Sequence, residues 1–391
     1  MNEFKGIKFQ RFFYAFLRVC FGWLVCLIKN YHYEPCKTKG KTVLILINHN
    51  SDFDPFYAGI GIRRHMKFVA SANILEGFSG RIIKTLVDPI PRKKGASADD
   101  TVDLIIKNLK AGISVAMFPE GNKSWDGISC YISKRTAQLL KEAGCGLVTY
   151  TVSGGYLKSP RWSDHERKGP LYGRMVKEYS AEELESMSVD EIYQAICSDL
   201  YVNAYEDQKN RMVKYRAKDL NSGISSVLYI CPSCRKIGSI SSGPDGFRCI
   251  CGLSGRLNEY GFLEGDGFDF ESCGEWNAWQ KKYLKQNADQ LKKTLEVLTA
   301  DCGFDLIKLG AEEAVLFNDA VIQVYSDRFS VYSGEYNIDF PVDRISRIST
   351  FRNKTIFFTC GSEYYKLKFK ESVSGLKYDA LWRTLTGREY I

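Results

Sequence analysis

The hydrophobic pattern in the first half of the chain alternates between short apolar runs and amphipathic stretches. Residues 41–48, 113–118 and 146–152 are apolar and rich in branched side chains, which predicts strands buried on both faces. Apolar residues recur at helical spacing over 98–111 and 132–143, and a glycine closes each stretch. Strands that alternate with helices at these intervals predict an α/β layered domain with a mostly parallel sheet.

The pattern of the second half is different. Two capping boxes, at 180–183 and 188–191, predict helices that run to about residue 219. A polar helix with aromatic residues is expected from about Trp276 to Leu298, and a closing helix over 378–385. Short alternating runs between these two helices predict an antiparallel meander. The runs are 321–325, 329–332, 336–340, 355–359 and 364–369.

The positive charge of the chain lies in its first 222 residues. They hold 33 Lys and Arg against 24 Asp and Glu, whereas residues 223–391 hold 21 against 22. A basic surface suits phosphate-bearing lipid, an anionic membrane or nucleic acid, and charge alone does not choose among them.

Residues 12–28 are the most apolar stretch of the chain, and Arg18 interrupts them. The stretch falls short of the ~18 uninterrupted apolar residues expected of a spanning helix. Phe12, Val19 and Trp23 share much of one helical face, Arg18 can extend its charge toward water, and tryptophan suits the headgroup layer. The pattern favours a helix at a membrane surface. The alternative is a helix buried against the rest of the protein.

His49 has a carboxylate near it in a loop after a predicted buried strand. It follows Asn48 at the end of that strand, and Asp54 comes at an H-x4-D spacing. Because the next residue is proline, Asp54 is expected to cap a helix over 55–61 while its loop returns to orient the imidazole. A histidine oriented in this way is a candidate general base. The alternative is a surface histidine beside a helix cap.

A second polar block follows the next buried strand and contains Glu120, Gly121 and Lys123. Glycine lets backbone amides approach an anion, and lysine supplies a point charge, so the block is a candidate phosphate site. Arg92, in a basic run between the two blocks, is a candidate second phosphate contact. Both blocks follow a strand's carboxyl end, where ligands bind in open α/β sheets. The alternatives are an ordinary turn and a solvated basic loop.

In this order the motifs resemble those of the glycerolipid acyltransferases typified by 1-acylglycerol-3-phosphate acyltransferases. The motifs are Asn48-His49-x4-Asp54, Arg92 after Ile-Pro, and Phe-Pro-Glu120-Gly121, and the resemblance covers about residues 10–220. It implies acyl transfer from acyl-CoA or acyl carrier protein to the free hydroxyl of a lysophospholipid, with phosphatidic acid the usual product. It also implies that His49 is the base, that Asp54 orients it, and that Arg92, Glu120 and Gly121 bind the acceptor.

Two departures from the family pattern concern the acceptor. The third family block usually ends Gly-Thr-Arg-Ser, whereas this chain has Lys123 in place of the arginine. Lysine keeps the charge but loses the bidentate fork, so Lys123 is a candidate substrate contact of different geometry. The fourth block commonly has a proline after the strand valine, where this chain has Val148-Thr149. The acceptor headgroup is therefore the open part of the assignment.

The implied mechanism is direct transfer. An alcohol is too weak an acid to ionise at neutral pH, so His49 must take its proton as the oxygen attacks the thioester carbonyl. No serine or cysteine stands beside His49 in a nucleophile-elbow pattern, so an acyl-enzyme is not expected. Backbone amides after Asn48 are candidate donors to the oxyanion.

Four of the thirteen cysteines form a C-x2-C-x14-C-x-C-G pattern, made of Cys231, Cys234, Cys249 and Cys251. Two close pairs of thiolates can meet one Zn²⁺ tetrahedrally, and the pattern resembles a zinc ribbon. With four ligands from the protein the ion would be structural. The alternative is two disulfides, but the chain shows no secretory cleavage pattern and its other cysteines are scattered, as in reduced cytosolic proteins.

At 391 residues the chain is long enough for several domains. We expect a phospholipid membrane surface, a lysophospholipid and an acyl donor as partners, with the protein peripheral or monotopic at the cytoplasmic face. Nucleic acid is not expected, because the second half lacks a positive balance. The predicted parts are an N-terminal amphipathic membrane-anchoring helix (1–32), an acyltransferase domain (33–222), a zinc ribbon (226–262), a helical linker (263–300) and a PH- or GRAM-like β domain (301–391).

Two other functions stay open. One is a catalytically silent membrane-surface adaptor that recruits partners through the zinc ribbon and the β domain. The presence of His49, Asp54, Glu120 and Gly121 weighs against it. The other keeps the same chemistry and changes the lysolipid acceptor. The β domain itself is expected either to bind lipid headgroups or protein, or to serve only in packing.

Overall fold

The computed structural model describes residues 6–72, 84–92, 99–310 and 312–390. The chain divides into two compact units. The N-terminal unit comprises residues 1–158 and 169–213, and the C-terminal unit comprises residues 159–168 and 214–391. The start of the predicted anchor, the basic run 93–95 and the predicted helix start at residue 98 lie outside the described residues.

The N-terminal unit is built on a seven-stranded sheet. Its strands are β1 (Tyr31–Tyr33), β2 (Val43–Ile47), β3 (Lys67–Ser71), β4 (Ile90–Arg92), β5 (Val115–Met117), β6 (Gly146–Ser153) and β7 (Leu171–Tyr179). Their order is β1-β7-β6-β2-β5-β3-β4, and within the described residues only the β6–β7 pairing is antiparallel. The predicted α/β domain with a mostly parallel sheet is confirmed.

The N-terminal unit also contains helices. They are α1 (Ile7–Lys29), α2 (Asp54–Gly61), α3 (Asp99–Lys110), α4 (Arg135–Ala143), α5 (Gly155–Lys158), α6 (Ala181–Ser186), α7 (Val189–Leu200) and α8 (Ala204–Arg211). Ser180 and Ser188 cap α6 and α7, and at Ser188 the reciprocal contact with Glu191 completes a capping box. The helices end at Arg211, earlier than the sequence pattern indicates.

Alternation along β2 divides the core of this unit into two layers. Leu44 and Leu46 pack with residues of α3, α4 and α7, whereas Val43, Ile45 and Ile47 pack with residues of α2. All five side chains are fully buried. Helices therefore cover both faces of the sheet, which explains why its central strand is a continuous apolar run.

One side of α1 packs against the N-terminal unit. The Tyr14 hydroxyl donates to the carbonyls of Gly59 (2.6 Å) and Ile62 (3.0 Å), and Gly22 is buried next to Ile60. Only 6% of the most apolar 18-residue window is buried, and by length and composition α1 could cross a membrane. A helix buried against protein does not fit. Its exposed large apolar side chains are Phe9, Phe12, Phe16, Leu17, Val19, Phe21, Trp23, Leu24, Leu27 and Ile28.

A four-stranded antiparallel sheet carries the cysteine motif in the C-terminal unit. Its strands are β8 (Ile240–Gly243), β9 (Gly246–Cys249), β10 (Ser254–Leu257) and β11 (Leu263–Asp266), in the order β11-β10-β9-β8. Cys249 ends β9 and Cys251 lies in the turn after it, whereas Cys231 and Cys234 precede β8.

The predicted helix over 276–298 is wrong at its C-terminal end. The chain forms α9 (Cys273–Gln286) and α10 (Ala288–Lys293), which are separated at Asn287. The amide of Leu298 then donates to the carbonyl of Val324 at 2.8 Å, and a strand begins at the next residue. Pairing with a distant strand therefore overrides the local helical pattern.

A seven-stranded antiparallel sheet and a helix complete this unit. The strands are β12 (Thr299–Leu309), β13 (Glu313–Val324), β14 (Arg328–Ser333), β15 (Tyr336–Pro341), β16 (Ile345–Phe351), β17 (Thr355–Cys360) and β18 (Glu363–Phe369). Their order is β15-β14-β13-β12-β18-β17-β16, and α11 (Gly375–Thr386) follows them. The predicted antiparallel domain closed by a C-terminal helix is confirmed, whereas β12 and β16 are additional strands that the sequence pattern missed.

The cysteine motif, α9 and the large sheet share one apolar core. The Gln280 side-chain oxygen accepts the amides of Tyr229 (2.6 Å) and Ile230 (2.7 Å), and the Trp276 indole donates to the Ile230 carbonyl at 3.0 Å. These buried polar contacts attach α9 to the segment that leads into Cys231. The three parts expected in this region are thus packed as one unit.

Candidate active site

The two polar blocks meet at the carboxyl edge of the parallel sheet. The loop after β2 contains His49, and the loop after β5 contains Glu120 and Ser124. The amide of Ser124 donates to the carbonyl of His49 at 3.3 Å, which joins the loops directly. Arg92 ends β4, the edge strand, and is exposed. It lies three strand positions from β2, roughly 14 Å at ordinary strand spacing.

Asp54 is the buried centre of the His49 loop. Its side chain is fully buried, and one oxygen, Oδ2, accepts from three donors. These are Nδ1 of His49 (2.9 Å) and the amides of Asn50 (2.7 Å) and Ser51 (2.8 Å). Because an ionised carboxylate only accepts, Nδ1 of the neutral imidazole carries the proton and Nε2 carries the lone pair. The loop therefore presents His49 in the tautomer that a general base needs.

Asp54 does not cap α2 as the sequence suggested. It is the first helical residue, the N-cap position is Phe53, and no side chain caps the helix there. Its carboxylate turns back toward the loop amides and the imidazole instead. Pro55 stands in the first turn of the helix as expected, because its missing amide has no partner to lose there.

The ring of His49 also stacks on an aromatic side chain and is partly exposed. The ring stacks on Phe118, with centroids 4.4 Å apart and an interplanar angle of 26°. The side chain is 21% exposed, and among the described residues Nε2 has no hydrogen-bond partner. Of the two ring nitrogens, Nε2 is therefore the one available to a ligand.

Glu120 joins two loops through its carboxylate. Oε1 accepts the amide of His49 at 3.0 Å, and Oε2 accepts the amide of Cys130 at 2.7 Å. The side chain is 8% exposed, and burial raises the pKa of Glu120 to about 7, although the Cys130 and His49 amides act in the opposite direction. Its observed contacts are with the protein backbone, so it holds the His49 loop in place.

The backbone amides expected to stabilise an oxyanion are already engaged. The His49 amide donates to Glu120, and the Asn50 and Ser51 amides donate to Asp54. Each amide has a single hydrogen to donate. The expectation that amides after Asn48 form the oxyanion hole is therefore wrong for these three residues.

Gly121 and Lys123 lie in the turn after β5. Gly121 has φ of +67°, a conformation that side chains disfavour, and its amide donates to the Phe118 carbonyl at 3.1 Å. The turn directs Lys123 toward the other loop, where its Nζ lies 3.0 Å from Oδ1 of Asp52. Asp52 was not identified from the sequence, because no local signal links it to a lysine 71 residues away.

Asn48 also has a defined role at the end of β2. Its side-chain oxygen accepts the Val152 amide at 2.7 Å, and its side-chain nitrogen donates to the Val152 carbonyl at 3.1 Å. The amide group thus continues the β2–β6 pairing by one step. A polar residue directly after a buried strand was the signal for this contact, but its partner depends on the tertiary fold.

Residues 28–153 match the family model described as Acyltransferase. The matched segment contains His49, Asp54, Arg92, Glu120 and Lys123. The chain carries an acyltransferase domain. No curated protein shows significant sequence similarity to the chain.

Two solved structures resemble parts of the chain. The 1-acyl-sn-glycerophosphate (LPA) acyltransferase PlsC from Thermotoga maritima aligns with 54% of this chain and 99% of its own, at 14% identity and a TM-score of 0.38. The N-terminal PH domain of human ARAP2 aligns with 22% of this chain and 80% of its own, at 14% identity and a TM-score of 0.19. Scores this low do not establish a shared fold, so the domain assignment rests on the family match. The PH- or GRAM-like character of the β domain stays a prediction.

Outside the acyltransferase domain, the four cysteines of the motif form a compact cluster. Their sulfurs all lie within 4.8 Å of one another, and the Cys231–Cys251 and Cys234–Cys249 pairs are each 3.6 Å apart. Tetrahedral zinc–thiolate geometry requires S···S separations of about 3.8 Å. The sulfurs are too far apart for disulfides, and the amide of Leu253 lowers the pKa of the Cys251 thiol to about 6. This donor set fits Zn²⁺.

The elevated pKa of Glu120 predicts a pH-dependent stability. Folding raises this pKa from 4.5 to about 7, so the unfolded chain releases its proton first as pH rises. The stability that the protonated group contributes is fully present below pH 4.5 and is lost as pH approaches 7. In Glu120→Gln the side chain does not titrate. The free energy of unfolding of the wild type should therefore fall relative to the variant across this window, by up to about 3 kcal/mol.

Urea unfolding of both proteins at intervals between pH 4 and pH 8.5 measures this difference. The difference should be constant above pH ~7.5, where both folded and unfolded Glu120 are ionised. A difference that does not change with pH would contradict the assignment of Glu120 as a desolvated carboxylate.

Proposed function

We propose that this protein transfers a fatty acyl group from a thioester donor, acyl-CoA or acyl carrier protein, to the free hydroxyl of a lysophospholipid. The observation that carries the proposal is the 2.9 Å contact between Nδ1 of His49 and Asp54, in a segment that matches the Acyltransferase family. This contact leaves Nε2 of His49 as the nitrogen available to act as the base. The family match supports acyl transfer, and the lysophospholipid acceptor belongs to the proposal.

His49 moves the proton in the proposed reaction. As the acceptor oxygen attacks the thioester carbonyl, the C–O bond forms and Nε2 takes the hydroxyl proton. The tetrahedral intermediate then collapses, the C–S bond breaks, and the imidazolium returns the proton to the leaving thiolate. Asp54 holds Nδ1–H throughout and stabilises the positive imidazolium between these steps. The histidine therefore ends the cycle as it began.

The acceptor that the family resemblance implies is 1-acylglycerol-3-phosphate, which would give phosphatidic acid. Arg92 and Lys123 are the basic candidates for its phosphate, and the Gly121 turn sets the direction of Lys123. Glu120 contributes through the loops that it joins. The same reaction on a different lysolipid needs no change in the role of His49.

The exposed apolar face of α1 supports membrane attachment of the N-terminal unit. Tyr14 fixes the helix to α2, the helix that begins with Asp54, so a bilayer bound by α1 has a set position relative to the His49 loop. Trp23 and Lys29 suit the interfacial layer. We propose that the protein lies at the cytoplasmic face, because its cysteines are not joined in disulfides, as is usual in a reducing compartment.

Zinc bound by Cys231, Cys234, Cys249 and Cys251 would have a structural role. Four thiolates complete a tetrahedral shell and leave no position for a substrate. Because α9 is hydrogen-bonded to the segment that enters the motif, an ordered motif supports the core of the whole C-terminal unit. Its role is thus in folding and not in acyl transfer.

The first test replaces the base. His49→Ala should lower the rate of acyl transfer by about 10²–10⁴-fold, because the acceptor hydroxyl loses its general base. Transfer of a radiolabelled acyl group from acyl-CoA or acyl carrier protein to a panel of lysophospholipids measures this rate. The matched control is His32→Ala, an exposed histidine of the same unit, which should keep wild-type activity. Full activity in His49→Ala would refute the mechanism, and a wild type inactive on every acceptor would favour the adaptor.

The second test concerns α1. Val19 and Leu27 are 68% and 71% exposed, and Val19→Glu/Leu27→Glu should weaken binding to phospholipid vesicles at least about tenfold, because two apolar contacts with the bilayer are lost. Co-sedimentation with vesicles measures the binding. The control Val315→Glu/Tyr336→Glu changes two exposed residues of the C-terminal unit, which are 55% and 75% exposed. It introduces the same two charges elsewhere and should bind as the wild type does. Equal binding by all three proteins would exclude α1 as the membrane contact.

The third test concerns the metal. The purified protein should contain about one zinc per chain, and Cys251→Ser should lose it together with part of the thermal stability. Elemental analysis and thermal unfolding, with and without a chelator, measure both effects. Cys302→Ser changes another exposed cysteine outside the motif and should keep its zinc. Equal metal content in the two variants would show that the motif does not bind the ion.

A further inference from the structure

The charge of Lys123 is already matched by a carboxylate of the His49 loop. Nζ of Lys123 lies 3.0 Å from Oδ1 of Asp52, three residues after the catalytic histidine. The Lys123 side chain is 21% exposed and that of Asp52 is 73% exposed. Both groups are therefore accessible to a bound headgroup, beside the base that would deprotonate its acceptor.

Asp52 opposes the binding of a phosphate monoester at this position. Such a group carries a charge of about −1.5 to −2 at pH 7, and to reach Lys123 it must approach the Asp52 carboxylate as well. Like charges at this separation repel, and lysine offers only a point charge and no bidentate fork to offset the repulsion. The local balance of the pair is neutral and not cationic.

A zwitterionic headgroup matches the pair in both signs. The phosphate of a phosphodiester carries a single negative charge and can take the place of Asp52 beside Lys123. An ammonium group on the same headgroup can then take the place of Lys123 beside Asp52. Each protein charge exchanges one partner for another, so neither is left without a counter-charge.

We propose that Asp52 and Lys123 act together as a specificity pair that favours a lysophospholipid with a zwitterionic phosphodiester headgroup over one with a phosphate monoester. The inference rests on the proposed acyl transfer and refines its acceptor. Asp52 is the deciding member, because it both repels the monoester and attracts the ammonium group.

Acyl transfer to three acceptors with the same acyl chain tests the pair. They are 1-acylglycerol-3-phosphate, 1-acylglycerophosphoethanolamine and 1-acylglycerol, each at a low, fixed mole fraction in non-ionic detergent micelles. The wild type should show a higher kcat/KM for the ethanolamine lipid than for the phosphate monoester. Asp52→Asn should shift this ratio toward the monoester by about fivefold or more, with 1-acylglycerol as the uncharged reference. High salt should shrink the shift, because both side chains are exposed.

Asp190→Asn is the matched control, since Asp190 also contacts a lysine, Lys134, on the surface of the same unit. It should leave the ratio of the two charged acceptors unchanged. A wild type that prefers the monoester, or an Asp52→Asn ratio equal to that of Asp190→Asn, would overturn the specificity pair and leave His49-dependent transfer intact. Absence of transfer to every acceptor would overturn the proposed function and the specificity pair together.

Discussion

The arrangement of the candidate active site depends on one buried carboxylate. Asp54 has no contact with solvent, and an ionised group in that position must be hydrogen-bonded. Three donors converge on one of its oxygens: the imidazole of His49 and the amides of Asn50 and Ser51. The same contacts that compensate the charge also fold the loop and select the imidazole tautomer. The orientation of the candidate base and the order of its loop thus have the same physical cause.

Glu120, a second buried acid, links the His49 loop to another loop. It accepts the His49 amide and the Cys130 amide, so His49 is held at its side chain by one acid and at its backbone by another. The two buried acids accept the hydrogen bonds of the loop's backbone amides, which are then not available to a ligand. These contacts order the loop and leave Nε2 as the ring nitrogen that neither acid engages.

The C-terminal unit is held together by a shared apolar core. The strands of its cysteine motif pack on an aromatic cluster around Trp276, and Tyr229 and Ile230, which precede the first cysteine, join the core of the large β sheet. Gln280 secures this junction through two backbone amides. Order in the motif and packing of the β domain are therefore coupled, because both depend on the same segment.

The sequence alone determined the features that depend on local pattern. The continuous apolar run of β2 required burial on both faces and hence a parallel layered sheet. The C-x2-C and C-x-C spacings brought four thiols together. The H-x4-D spacing allowed His49 to meet Asp54. Only the tertiary structure decided which distant groups meet. The Asp52–Lys123 contact, the Glu120 bridge and the β12 pairing that ends α10 join residues far apart in the chain. Hydrophobic period and turn chemistry act over a few residues, whereas those contacts follow from the order of strands in a sheet.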